Sequence, residues 1–367
     1  MAEGSRGGAV RQGRMGQPAP DRPDGAGGRG WLGPGPGHAW RRAICLACRD
    51  GGPPPPLPLD VRVILSVFWL PATLGAAFFQ SWRTAMQQRL RGTMSVNAAG
   101  LVRFLYGAPT ALTLLLLHWL LLGGGMPRPG WGFLGWALVG GLVQILGTNL
   151  LIMSFGYRNF VVGTAYSKTD AMQGAILGTL VLGEVLRPLA WLGVLVSVAG
   201  VLVLSLAGKA SGPRDLLRAT VQPAALCGLG AGLAFAATGM FTKLAMAMLP
   251  PGTDAVRGAL VALTVMTTLQ SLMQGGWMLW REPEHLRAVF RGWRKAAPVG
   301  ALSALGSACW FTGFALAPLG LVRAVGQVEI LMTMALGRFY LRESFTRSEV
   351  IGAVTVVAGV LLVLAGA

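Results

Sequence analysis

Charge is scarce in this 367-residue chain: Asp, Glu, Lys and Arg together make up 12% of it. A soluble domain carries about 25% charged residues, so several soluble cores could not be covered with a polar surface. Acidic side chains are the rarest, 14 against 31 Lys and Arg, for a net charge of +17. That excess does not indicate a nucleic-acid partner. The basic residues are spread over an N-terminal tail and short connections, not gathered on one face with aromatics. Histidine occurs three times, with only His118 in an apolar segment, and no Walker, HExxH or GxSxG sequence is present. Hydrolytic, metal and cofactor chemistry therefore have no carriers, and an enzyme is not expected. Of four cysteines, Cys227 and Cys309 lie in apolar segments as small core residues. Cys45 and Cys48 form a C-x-x-C that lacks the second pair or nearby histidines of a zinc site.

What is abundant is apolar sequence. Hydrophobic residues make up 53%, and the mean hydropathy is +0.57. Ten apolar segments follow one another, roughly 62–82, 96–122, 131–155, 160–182, 187–207, 222–248, 256–280, 297–316, 320–341 and 347–366. Most approach the roughly 20 residues that cross a bilayer as helix. Gly/Pro punctuation or short charged loops separate them, as at 123–130, 208–215 and 281–295, and these are too short for a soluble domain. Residues 1–60 differ: Gly, Pro and Arg dominate without apolar periodicity, which predicts disorder. The tail lacks the apolar core of a signal peptide, and a downstream start near Val61 or Val63 is one reading of it.

An internal repeat organises the remainder. With a shift of 159, residues 141–207 overlay 300–366 without a gap. Gly141 meets Gly300, Gly147 meets Gly306, Leu182 and Glu184 meet Leu341 and Glu343, and the run VAGVL at 198–202 recurs at 357–361. Earlier in each half, Arg83-x-Ala-Met is similar to Lys243-x-Ala-Met. The domain reading is thus a tail at 1–60, a first five-helix repeat at 61–208 and a second at 216–367. Five is an odd number, so the second repeat is expected to enter the membrane inverted. Inverted repeats are a recurring plan of secondary transporters, with the substrate site near the midplane between the halves.

The residues Leu182-Gly183-Glu184-Val185-Leu186, Trp191-Leu192-Gly193 and Val198–Leu202, with second-half counterparts Leu341–Phe345, Ile351-Gly352 and Val357–Leu361, resemble the drug/metabolite transporter superfamily. The similarity is to its EamA-type ten-helix members and spans about residues 62–366. Arg103-Phe104 also looks like the family's arginine at that place. The second half departs from the pattern, because Arg342 replaces the expected glycine before Glu343 and no Arg-Phe opens the seventh segment. The resemblance implies an all-α bundle of ten membrane helices that exports or exchanges amino acids, metabolites or drugs.

A charge at the bilayer centre costs roughly 2.5–3.5 kcal/mol on insertion scales, which makes intramembrane ionisable residues functional candidates. Lys168 and Asp170 are expected about seven and nine residues into the fourth segment, ~10–14 Å deep. The repeat matches Gln327 to Lys168 and Glu329 to Asp170. Asp170 and Glu329 are the proton-coupling candidates. The structural alternative pairs Lys168 with Glu329 and Arg103 with Asp170 as fixed bridges. Lys168, Gln327, Asn149, Tyr166, Gln173, Trp310 and Arg103 are substrate-cavity candidates, with Gln144 and Thr312 beside them. An Asn or Gln in a membrane helix also serves as an interhelical tie. Glu184 and Glu343, at segment ends, are read as structural, capping or gating residues. Most basic residues follow odd-numbered segments, which would place that side in the cytoplasm, whereas the tail and the resemblance imply cytoplasmic termini.

The reading is a multi-pass protein of a bacterial inner membrane, moving a small molecule by alternating access, with proton coupling or exchange. Its partners are a small-molecule substrate and lipid, as monomer or weak homodimer. The rival is a non-transporting membrane scaffold or assembly partner.

Overall fold

The computed structural model describes residues 59–90, 94–154, 166–206, 222–332, 334–335 and 347–367. Most of the expected tail, including Cys45 and Cys48, lies outside the described residues, as does Glu343. Regular structure among the described residues is wholly helical. It comprises α1 (Leu59–Leu90), α2 (Val96–Leu105), α3 (Gly107–Leu122), α4 (Trp131–Ser154), α5 (Asp170–Leu180) and α6 (Pro188–Leu206). After these come α7 (Pro223–Ala247), α8 (Ala255–Arg281), α9 (Pro283–Arg291), α10 (Trp293–Leu316), α11 (Leu319–Gly326) and α12 (Arg347–Ala365).

Local chemistry sets the boundaries. The α3 helix stops where Gly123 and Gly124 turn left-handed (φ 63° and 85°), a conformation that costs glycine little. The α8 helix starts at Asp254, whose carboxylate accepts the Arg257 N–H at 2.9 Å. Pro223 opens α7 at a position where its missing N–H is not needed. Tyr106 separates α2 from α3, and Pro109, three residues on, cannot donate to Leu105.

Among the described residues, five spans are long and apolar enough to cross a membrane: Val96–Leu122, Trp131–Ser154, Pro223–Ala247, Ala255–Arg281 and Trp293–Leu316. Pro188–Val203 and Glu349–Ala365 are shorter apolar helices. Leu121, Leu226, Leu279 and Leu361 lie exposed on helix surfaces, where lipid rather than water accommodates them.

Two local expectations change. The apolar pattern ends the first segment at 82 and leaves Arg83 in a loop, but α1 runs to Leu90 because nothing between Ala76 and Leu90 breaks a helix. Arg83 is consequently buried. The charged stretch after α8, expected as a loop, forms α9 and the first turn of α10, since its apolar residues recur at helical spacing behind Pro283.

The helices pair across the two halves: α1 with α10, α4 with α7, α5 with α11, α6 with α12, and α8 with α2 and α3. Glycines report the direction of the closest pairs. Gly193 lies against Gly359 and Val363, Gly200 against Gly352 and Val356, and Gly366 against Ala190, so α6 and α12 run antiparallel. Gly174 beside Arg323 and Gly178 beside Leu319 give α5 and α11 the same antiparallel relation.

Candidate functional site

The fourth and ninth segments are each interrupted rather than continuous. Tyr166 and Ser167 are helical, Lys168 and Thr169 form a turn, and α5 begins at Asp170. In the second half α11 ends at Gly326, Gln327 and Val328 form a turn, and residues 329–332 are helical again. The two breaks coincide under the 159-residue shift. Asp170 therefore opens a helix instead of lying in the middle of one as expected. At the first break, the Thr169 hydroxyl donates to the Tyr166 carbonyl at 2.7 Å, and this local bond competes with the regular helical pattern. At the second, Gln327 and Val328 N–H groups bond to Ala324 and Val325 at 3.1 Å each, three residues back instead of four.

Broken helices leave backbone groups to be satisfied inside the protein, and polar side chains of the opposing break do this. Gln327 Nε2 donates to the Lys168 carbonyl at 2.9 Å and to Asp170 Oδ1 at 3.1 Å. Lys168 Nζ lies 2.5 Å from Glu329 Oε2. The contacts 168–329 and 327–170 exchange with each other under the repeat, so one polar crossing is made twice, once as an ion pair and once as an amide–carboxylate bond.

The surroundings differ between the halves. Gln80 donates to Glu329 at 2.7 Å, and the Ser81 hydroxyl donates to the Glu329 carbonyl at 3.0 Å. On the Asp170 side, Arg323 Nη1 lies 2.9 Å from Oδ2, while its other arm donates to the Phe235 carbonyl. The Arg323 guanidinium also lies 5.1 Å from the ring centres of both Trp310 and Phe314. Trp310 Nε1 donates to Gln80 Oε1 at 3.0 Å, which joins the two clusters.

These groups face a cavity of about 80 Å³, enough for several water molecules or a small ligand. Of the expected cavity residues, Lys168, Asp170, Glu329, Trp310, Arg103 and Gln144 line it. Gln327 stands behind Asp170. Asn149 instead ties helices together, donating to Asn97 Oδ1 at 3.2 Å, and Asn97 donates to Glu282 at 2.8 Å. Gln173 bonds to Thr169 at 3.2 Å, Tyr166 packs on Ala225 and Leu229, and Thr312 is buried away from the cavity. Arg103 does not pair with Asp170; it donates to the Thr148 hydroxyl at 3.2 Å, and Arg323 takes the place beside the carboxylate.

Glu184 lies away from the cavity. One oxygen accepts the Leu319 N–H at 2.7 Å, capping α11, and the other pairs with Lys243 Nζ at 2.7 Å. Lys243 in turn donates to the Ala317 carbonyl at 2.8 Å. Gln80, Thr84 and Ser307 also line the cavity, and nothing in the sequence singles them out. Arg83 joins them. For Arg83 the signal is its repeat match to Lys243, which a first segment ending at 82 conceals.

Fold and site together define a multi-pass membrane-embedded helical protein with a charged cavity between two similar halves. Residues 67–206 and 222–365 each match the EamA-like transporter family, and the chain belongs to it. That family transports small substrates and is not enzymatic, which accords with the apolar helices and the internal repeat. No curated protein matches the chain. A solved structure titled only "Crystal structure of protein" superposes with a TM-score of 0.61, covering 82% of this chain and 98% of that one at 14% identity. At that identity the likeness speaks for the fold alone.

Proposed function

We propose that this chain is a secondary transporter of a bacterial inner membrane, built of ten spans in two inverted five-span repeats, that exposes its cavity to one side at a time. One observation carries the reading: both repeats break a helix at the same position, and the two breaks bond to each other beside the charged cavity. Discontinuous helices at a repeat interface are where transporters of this plan hold substrates and coupling ions, because unwound backbone is tolerated in a membrane only where it is buried in protein or lines a cavity. The antiparallel packing of α6 on α12 supports inversion, since these two helices are equivalent under the repeat.

Coupling is assigned to Asp170 and Glu329. Asp170 pairs with Arg323 and Glu329 with Lys168, each a cation of the opposite half. Releasing either pair therefore loosens one half from the other, which links the charge state of the site to rearrangement of the repeats. The coupling is to protons or to an exchanged solute.

Flux of small metabolites into proteoliposomes of purified protein, with and without an imposed pH gradient, tests this. Transport is expected, and a scaffold would give none. Asp170→Asn and Glu329→Gln are expected to abolish gradient-driven flux while leaving folded protein in the membrane. Wild-type driven flux in both variants would remove the coupling role.

A further inference from the structure

The charges on the cavity do not balance. Among the described residues, Arg83, Arg103, Lys168 and Arg323 line it against Asp170 and Glu329, four cations to two carboxylates. Both carboxylates are engaged, one by Arg323 and Gln327 and the other by Lys168 and Gln80. Arg83 and Arg103 have no carboxylate within ion-pair distance among the described residues, although each is only 8% exposed. Arg83 Nε is buried without a hydrogen-bond partner. Among the described residues Arg103 reaches the neutral Thr148 hydroxyl at 3.2 Å and the Phe104 ring, whose centre is 5.6 Å away. Two guanidinium groups held this way inside a membrane protein are costly unless something of opposite charge visits them.

We infer that the transported solute is a small anion carrying a carboxylate or phosphate group, bound between Arg83 on α1 and Arg103 on α2. The inference rests on the transporter reading and adds the substrate class to it. A guanidinium presents paired N–H donors that match the oxygens of either anion. A cationic solute would find both acids occupied and two like charges facing it. The neutral lining, with Gln144, Ser307 and Trp310, suits the uncharged part of a small organic anion.

Trp310 lies on the cavity and supplies a reporter that works while the solute is still unidentified. The chain has 12 tryptophans, so the Trp310 signal is taken as the difference between the wild type and Trp310→Phe. Iodide and caesium, an anionic and a cationic quencher, are titrated into purified protein in neutral detergent. Iodide is expected to quench this component roughly tenfold more strongly than caesium, the low end of the enrichment a cleft of one sign produces. Arg83→Gln and Arg103→Gln should each reduce that preference, and Arg103→Lys should keep most of it. Acetate or inorganic phosphate should relieve the iodide quenching, and whichever acts at lower concentration names the headgroup.

Equal quenching by the two ions in the wild type overturns the inference even if the variants fail to fold. So does a preference untouched by both Gln substitutions, or quenching that neither competing anion relieves. The two readings fail separately. Iodide preference without flux of any solute would leave an anion site and remove the transporter; flux of neutral or cationic solutes without iodide preference would do the reverse.

Discussion

At the scale of single residues, each buried charge is held by a partner from the opposite half or is left facing the cavity. Glu184 is the clearest structural case. Its side chain satisfies an orphan N–H at the start of α11 and neutralises Lys243, whose side chain is 20% exposed. Glu184→Gln keeps a weaker cap but strands Lys243, so a lower thermal midpoint is expected in detergent. Lys243→Met added to Glu184→Gln should recover part of the loss, because removing both members of a pair costs less than orphaning one. A double-mutant cycle should give a coupling of roughly 0.5–3 kcal/mol. A coupling near zero would show that the cap alone matters. The equivalence of Glu184 and Glu343 is readable from the repeat. The pairing of Glu184 with Lys243 is not, because separation along the chain says nothing about which helices meet.

At the scale of helices, glycine decides how closely the halves approach. A Cβ on Gly359 would overlap the Ser197 backbone nitrogen, and one on Gly200 would lie 2.6 Å from that of Val356. Backbone atoms cannot swing aside as a flexible side chain can. Gly359→Ala is therefore expected to destabilise by about 1–3 kcal/mol through overpacking. Gly276, in the interior of α8, has nothing within 4 Å of its ideal Cβ. Gly276→Ala should be neutral or stabilise by up to about 1 kcal/mol. Thermal midpoints of the two variants, measured side by side, check the contrast, and equal shifts would contradict the seam. The same logic applies at Gly326, where a Cβ would overlap the Trp310 ring and displace the indole that borders the cavity.

At the scale of the molecule, the proposed opposite orientation of the repeats makes a prediction independent of transport. Arg128 lies in the connection before α4, and Arg291 lies at the end of α9 in the corresponding connection of the second repeat. Both are exposed. Inversion puts equivalent connections on opposite faces of the membrane, whereas parallel repeats would put them on one face. Arg128→Cys and Arg291→Cys, each in a background without other cysteines, should be labelled by an impermeant maleimide from opposite sides of sealed vesicles. Labelling of both from the same side would end the inverted reading and the alternating-access proposal with it.

The apolar segments, the duplication and the pairing of position 170 with 329 followed from sequence alone, because bilayer thickness demands apolar runs of a set length and a repeat preserves register along a chain. The interruptions at Lys168-Thr169 and Gln327-Val328 carry neither Pro nor Gly, the residues whose backbone limits announce a break. They depend on partners from the other half, Gln327 for the Lys168 carbonyl and Arg323 for Asp170. Likewise the two Arg groups with no acid in ion-pair distance among the described residues became visible only once helices distant in sequence were laid side by side. Charge balance in a cavity is a property of which side chains converge, and convergence is fixed by tertiary packing.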